Sequence, residues 1–168
     1  VAGSYLTLGG IIMGTGDMKK GLEYTERALK IALENNYVET AIESYFSLVP
    51  YLPSEEYERR AEYQEKGYEL AKKAGAIRLQ SSFGTYISVW DISKSKAFIE
   101  ESVALDRKAG NMPQLYFSLF VMALCYQVWG ELDKSDQCIK EALDISKGLD
   151  DWTIISNAWL TGSVYFNR

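Results

Sequence analysis

The 168-residue chain has no histidine, two cysteines and three prolines. Without an imidazole there is no histidine base for a serine or cysteine triad, no His-ligated zinc or haem, and no histidine-based pH switch. Cys125 and Cys138 are too few for a disulfide scaffold or a four-cysteine zinc site. They also stand thirteen residues apart, where a metal-binding pair sits closer, so the expected compartment is the reducing cytoplasm. Basic charge is scarce as well. Eighteen Lys and Arg against 23 Asp and Glu leave a net charge of -5, so the phosphate attraction that dominates nucleic-acid affinity is missing and no direct nucleic-acid contact is expected. Gly9-Gly10 and Gly14-Thr15-Gly16 lack the lysine and the preceding strand of a phosphate loop. The carboxylate pairs Glu55-Glu56 and Glu100-Glu101 fall on charged, water-facing stretches where nothing would shift a pKa. The sequence therefore predicts no catalytic residue, no metal and no cofactor, and a protein that is not an enzyme.

What is present suits a folded chain, since 47% apolar residues with 24% charged ones supply a core without the charge excess of disorder. Val1 already lies within an apolar helical pattern, with no basic segment or cleavage site of a signal peptide, and the chain reads as a segment of a longer protein.

An internal repeat organises the sequence. Residues 16–32 recur at 130–146, a shift of 114, and intermediate copies stand at 57–71 and 92–106. Their aligned markers Tyr24, Tyr63, Phe98 and Cys138 are 39, 35 and 40 residues apart. A second series precedes them, beginning at Tyr5, Tyr45, Gln80, Leu119 and Ala158. Both series place apolar residues at i, i+3, i+4 and i+7, the signature of amphipathic helices. Asp17, Ser54, Asp91 and Asp151 stand where N-caps belong, and Asn35-Asn36, Gly75, Gly110 and Gly148 where second helices should stop. The expected chain is all-α, with nine helices in alternating A and B types and repeats at about 1–36, 37–75, 76–110 and 111–150. A final A helix would span 151–168.

Charge separates the two types. The five A segments hold five charged residues in all, whereas the four B segments hold 36. B helices should carry a solvated face laced by i, i+4 pairs such as Glu23-Arg27, Glu55-Arg59, Glu56-Arg60 and Glu62-Lys66, each worth about 0.2–0.5 kcal/mol. A helices lack a charged face and should be covered on more than one side. Residues 109–130 hold no charge over 22 positions, but Asn111, Pro113, Gln114, Ser118 and Gln127 interrupt them, so they read as a buried A helix and not as a membrane span.

These patterns resemble the tetratricopeptide repeat (TPR) family. Tyr5, Leu8, Gly9, Ile12, Gly21, Tyr24 and Ala28 fit its alternation of large and small residues, as do Leu119, Met122, Ala123, Tyr126, Ser135, Cys138 and Ala142. The second and third repeats are degenerate. The long period looks like that of the superhelical sensor regions of large LuxR-type regulators, or of kinesin light chain. The resemblance implies a right-handed α-solenoid of antiparallel helix pairs whose A helices line a concave groove. Transferred groove positions are Leu6, Thr7 and Met13; Phe46 and Ser47; Arg78, Ser81, Ser82 and Thr85; Phe117, Phe120, Val121 and Leu124; and Trp159 and Phe166. Of these, Phe46, Arg78, Phe117, Phe120, Val121, Leu124 and Trp159 are the expected partner-binding residues. Arg78 is the only cation among them, so a clamp for a peptide's terminal carboxylate is not expected.

The expected function is a protein- or peptide-interaction or ligand-sensing module of a larger signalling or transcription-regulatory protein. Its partner would be a protein or peptide segment, including another copy of the chain or another domain of the parent, with no membrane contact. The alternative is a structural spacer or oligomerisation scaffold without a ligand of its own.

Overall fold

A computed structural model describes residues 1–90 and 92–148. Among the described residues there are eight α-helices and no strand. They are α1 (Ala2–Gly14), α2 (Met18–Glu34), α3 (Val38–Leu48), α4 (Tyr57–Ala74), α5 (Ile77–Trp90), α6 (Ile92–Ala109), α7 (Met112–Val128) and α8 (Leu132–Ser146). The B helices begin at Met18, Tyr57, Ile92 and Leu132, with offsets of 39, 35 and 40 residues. The ninth helix expected at 151–168, with Asp151, Trp159 and Phe166, lies outside the described residues, as does Asp91.

Local chemistry sets most boundaries. The Asp17 carboxylate accepts a 3.1 Å bond from the Lys20 backbone N–H, satisfying a free donor in the first turn of α2. Asn36 takes a positive φ of 56° at the end of α2, and Gly75 and Gly110 do the same after α4 and α6. Two expected boundaries shift. Ser54 does not cap α4: Pro50 and Pro53 break the connection into two 3-10 turns, Val49–Tyr51 and Ser54–Glu56, and α4 starts at Tyr57. α8 stops at Ser146, two residues before Gly148.

The chain divides into two compact units, Val1–Phe83 and a second from Gly84 onward, with the division inside α5. In the first unit α1 packs on α2, α2 on α3 and α3 on α4. Contact between α1 and α2 is backbone to backbone: a Cβ on Gly9 would stand 2.9 Å from the Gly21 carbonyl oxygen, and one on Gly21 would stand 2.9 Å from that of Gly9. Gly9 and Gly21 are thus the small packing positions of the first repeat. In the second unit α6 packs on α7 and α7 on α8. Leu115, Tyr116, Leu119, Ala123 and Tyr126 of α7 share a core with Val103, Cys138, Ile139 and Ala142.

The charged faces of the B helices are wired differently from the i, i+4 expectation. Lys66 pairs with Glu62 at 2.6 Å as the spacing predicts. Arg59, however, pairs with Glu56 at 2.7 Å and reaches Glu26 on α2, while Arg60 is buried and donates to the Leu52 carbonyl. Arg27 lies over the Tyr5 ring, 4.6 Å from its centroid. Guanidinium groups spread charge over a plane and stack on aromatics, so cross-helix partners compete with the neighbour one turn away.

Candidate functional site

α7 carries no ionisable acid or base of the Asp, Glu, Lys or Arg type along its 17 residues. Pro113 sits in its first turn, where a missing N–H costs nothing. With no charge to mark an outer face, packing alone decides which side chains meet water. One side enters the core shared with α8, and a second side, Val121 and Cys125, packs on Ile99 of α6. The remaining side presents Phe117 and Phe120, half-buried, then Leu124 at 37% exposure and Val128 at 65%. Eleven residues separate the ends of this strip, a length of about 16 Å at helical rise. Tyr86 of α5 extends it, its ring 6.5 Å from that of Phe117, with exposed Val89 one turn further along.

The expected site residues therefore divide. Phe117, Phe120 and Leu124 share one face of α7. Val121 does not belong with them: at 4% exposure it is a core residue against Ile99 and Cys125. Phe46 and Arg78 lie in the first unit, Phe46 half-buried with its ring edge-on to Phe83 at 5.5 Å and Arg78 exposed on α5. Among the wider groove positions Met13, Ser81, Ser82 and Thr85 are buried, whereas Thr7 is exposed. Val128, Tyr86 and Val89 are strip residues that the transferred positions omit; Val128 continues the 117, 120, 124 series on α7, and Tyr86 and Val89 follow positions 78 and 82 at helical spacing on α5.

Behind the strip runs a buried polar chain. Ser118 Oγ donates to Asp106 Oδ2 at 2.7 Å and lies 3.0 Å from Thr85 Oγ1, all three side chains being fully enclosed. Asp106 continues the inward series Ile99, Ser102, Val103 on α6, so a carboxylate on an apolar stripe was its sequence signal.

A cleft of about 240 Å³ opens on the opposite side of α7, lined by Arg107, Met122, Tyr126, Lys134, Gln137, Cys138 and Glu141. Its cations are engaged. Arg107 holds Glu141 with bonds of 2.7 and 2.9 Å, and Lys134 pairs with Glu131, which also meets Lys96 at 3.3 Å. The Lys134 ammonium, and after it that of Lys96, holds the Glu131 carboxyl below the ordinary range. Burial pushes the Cys138 thiol up to about 11, and Glu141 reinforces the shift, so at neutral pH Cys138 is a packing group and not a nucleophile. Among the described residues no three His, Cys, Asp or Glu side chains gather where they could hold a metal ion. No helix there is long and apolar enough to cross a membrane.

No family model matches the sequence, and no curated protein matches it significantly. Solved structures do match the fold. BtubC (BKLC) from P. vanneervenii aligns over 90% of this chain and 65% of its own, at 20% identity and a TM-score of 0.77. The apo form of RapI aligns over 88% of this chain and 56% of its own, at 18% identity and a TM-score of 0.79. The chain thus spans less than two thirds of either. The stacked helix pairs and these likenesses give the protein a TPR-like α-helical repeat fold.

Proposed function

We propose that the chain is a protein-interaction module that seats an apolar peptide or protein segment on the α7 strip. The observation that carries this reading is the charge-free strip itself, Phe117, Phe120, Leu124 and Val128, held in place by a packed core on the other sides of the helix. Large apolar side chains on a rigid element are the usual anchors of binding energy, at about 2 kcal/mol or more each when fully desolvated. An amphipathic or extended segment with aromatic or aliphatic anchors is the matching partner. The role is non-catalytic, and by the resemblance to long-period TPR regulators we place it in a larger cytoplasmic signalling or transcription-regulatory protein.

The test selects binders from a displayed random-peptide library against the full chain, then measures them on two variants. Leu124→Asp changes an exposed side chain and should keep the melting curve while abolishing capture of the selected peptides. Ala123→Asp, at 1% exposure, forces a carboxylate into the α7–α8 contact and should unfold the second unit. Selected peptides that bind Leu124→Asp as well as they bind the parent would sink the reading.

A further inference from the structure

The fourth repeat departs from the other three at one position of its B helix. Tyr24, Tyr63 and Phe98 stand there on α2, α4 and α6, and Cys138 on α8. One turn further on, all four copies carry a small residue, Ala28, Gly67, Ser102 and Ala142, which fixes the correspondence. In the first two copies the ring packs on an aromatic of its own A helix: the Tyr24 centroid lies 5.7 Å from that of Tyr5, and the Tyr63 centroid 5.3 Å from that of Tyr45. On α8 a thiol stands in place of the ring, and the cleft of about 240 Å³ opens there, lined by Cys138 with Lys134 and Glu141 one turn to either side. The surroundings of Tyr63 recur as well. Arg59, four residues before it, pairs with Glu56 and still donates to the Tyr63 hydroxyl at 3.1 Å, its guanidinium 5.2 Å from the ring centroid. Lys134, four residues before Cys138, pairs in the same way with Glu131.

We propose that this cleft is a binding site for a single phenol ring, carried by a small phenolic molecule or by a tyrosine side chain. Size sets the first limit, since about 150 Å³ suffices for benzene while drug-sized ligands need roughly 300–1,000 Å³. Met122, Tyr126 and Cys138 offer the ring apolar walls and one aromatic face. Arg107 and Lys134 on the same lining favour a π face and repel a cation. The Lys134 ammonium carries three N–H donors and gives one to Glu131, so a hydroxyl can accept another, as the Tyr63 hydroxyl accepts from Arg59. A carboxylate fits less well, because Glu141 lines the cleft and already holds Arg107.

The probe is 4-methylphenol, titrated into the full chain carrying 13C at its four methionine methyl groups. Saturable movement of the Met122 signal is expected, with toluene binding at least about threefold more weakly for want of one hydrogen bond. Lys134→Ala removes a side chain more than half exposed, and should keep the melting curve while erasing the preference for the phenol. Cys138→Tyr supplies the ring that the first two copies carry, and should melt no lower than the parent and lose the probe. The absence of a saturable shift at Met122, equal affinity for toluene, or undiminished binding to Cys138→Tyr overturns the proposal. So does a Cys138→Tyr chain that melts several degrees lower or fails to fold, because a larger side chain is costly where the space is already packed. A blocked Gly-Tyr-Gly peptide, titrated beside the probe, separates the two sources: tighter binding than 4-methylphenol assigns the ring to a polypeptide, and weaker binding to a free phenol.

Discussion

Gly67 of α4 stands against the ring of Phe83 of α5: a Cβ at Gly67 would lie 2.5 Å from Cε1 of that ring and 2.9 Å from Cε2. The ring cannot retreat easily, since Phe83 is fully buried and edge-on to Phe46 at 5.5 Å. Ala is normally preferred to Gly inside a helix by about 1 kcal/mol. Overpacking a closed core costs about 1–3 kcal/mol, so the steric term should win. Gly67→Ala is expected to lower the melting temperature, whereas Gly10→Ala on α1, with nothing within 4 Å of the new Cβ, should raise it. Thermal melts of the two variants check the pair, and a stabilised Gly67→Ala would show that α4 and α5 are not in this contact.

The sequence made the B helices legible because their charge contrast is strong. Tyr24, Tyr63, Phe98 and Cys138 mark a repeating position, half-buried in the first three copies and buried in the fourth, and the helices begin at the offsets those markers define. On α7 the contrast vanishes. Phe120 and Val121 are adjacent and both apolar, so nothing in composition says that one is half-buried on the strip and the other lies on Ile99. The partner of Arg59 was illegible for another reason: Glu26 is 33 residues away, and only packing of α4 beside α2 brings the two together. Ser54 misled because it opens a 3-10 turn directly after Pro53, and that turn delays the start of α4 to Tyr57.

Arg59 should matter and Lys66 should not, although each forms an ion pair on α4. Arg59 joins Glu56 and Glu26 and donates to the Tyr63 hydroxyl at 3.1 Å, with its side chain 36% exposed. Lys66 and Glu62 are both more than half exposed. Exposed single pairs contribute about 0–1 kcal/mol, while a network across two helices also loses packing when the guanidinium is removed. Arg59→Ala is expected to lower the melting temperature by several degrees, with part of the loss disappearing in high salt. Lys66→Ala should be neutral at any salt concentration.

Ser118 is the hinge of the buried polar chain, giving its proton to Asp106 and lying within bonding distance of Thr85. Removing its hydroxyl takes a donor from an enclosed carboxylate, a loss of about 1–3 kcal/mol. Ser118→Ala should therefore cost more than Ser47→Ala on half-buried α3 surface. A double-mutant cycle with Asp106→Asn should show coupling, since the two groups share the bond. Additive losses in denaturant titrations would mean that Ser118 and Asp106 do not act on one another.

Cys138 offers a pH-dependent test of the α7–α8 core. Desolvation, with Glu141 adding to it, raises its thiol from 9.0 to about 11 in the folded chain. The unfolded thiol ionises at its ordinary value, so between pH 9.0 and about 11 the unfolded state has released a proton that the folded state keeps. The contribution of this group to stability is flat below that window and falls as pH rises through it. Cys138→Ser removes the titration while keeping the side chain's size close to that of the thiol. Its unfolding free energy should decline less steeply with rising pH than the parent's across the same window, as measured by urea titration at stepped pH. In the native parent, iodoacetamide should alkylate Cys138 far more slowly at neutral pH than in the urea-unfolded chain, because the thiol is both enclosed and protonated. Equal alkylation rates in the two states would place Cys138 at an open surface and remove it from the core that positions α7.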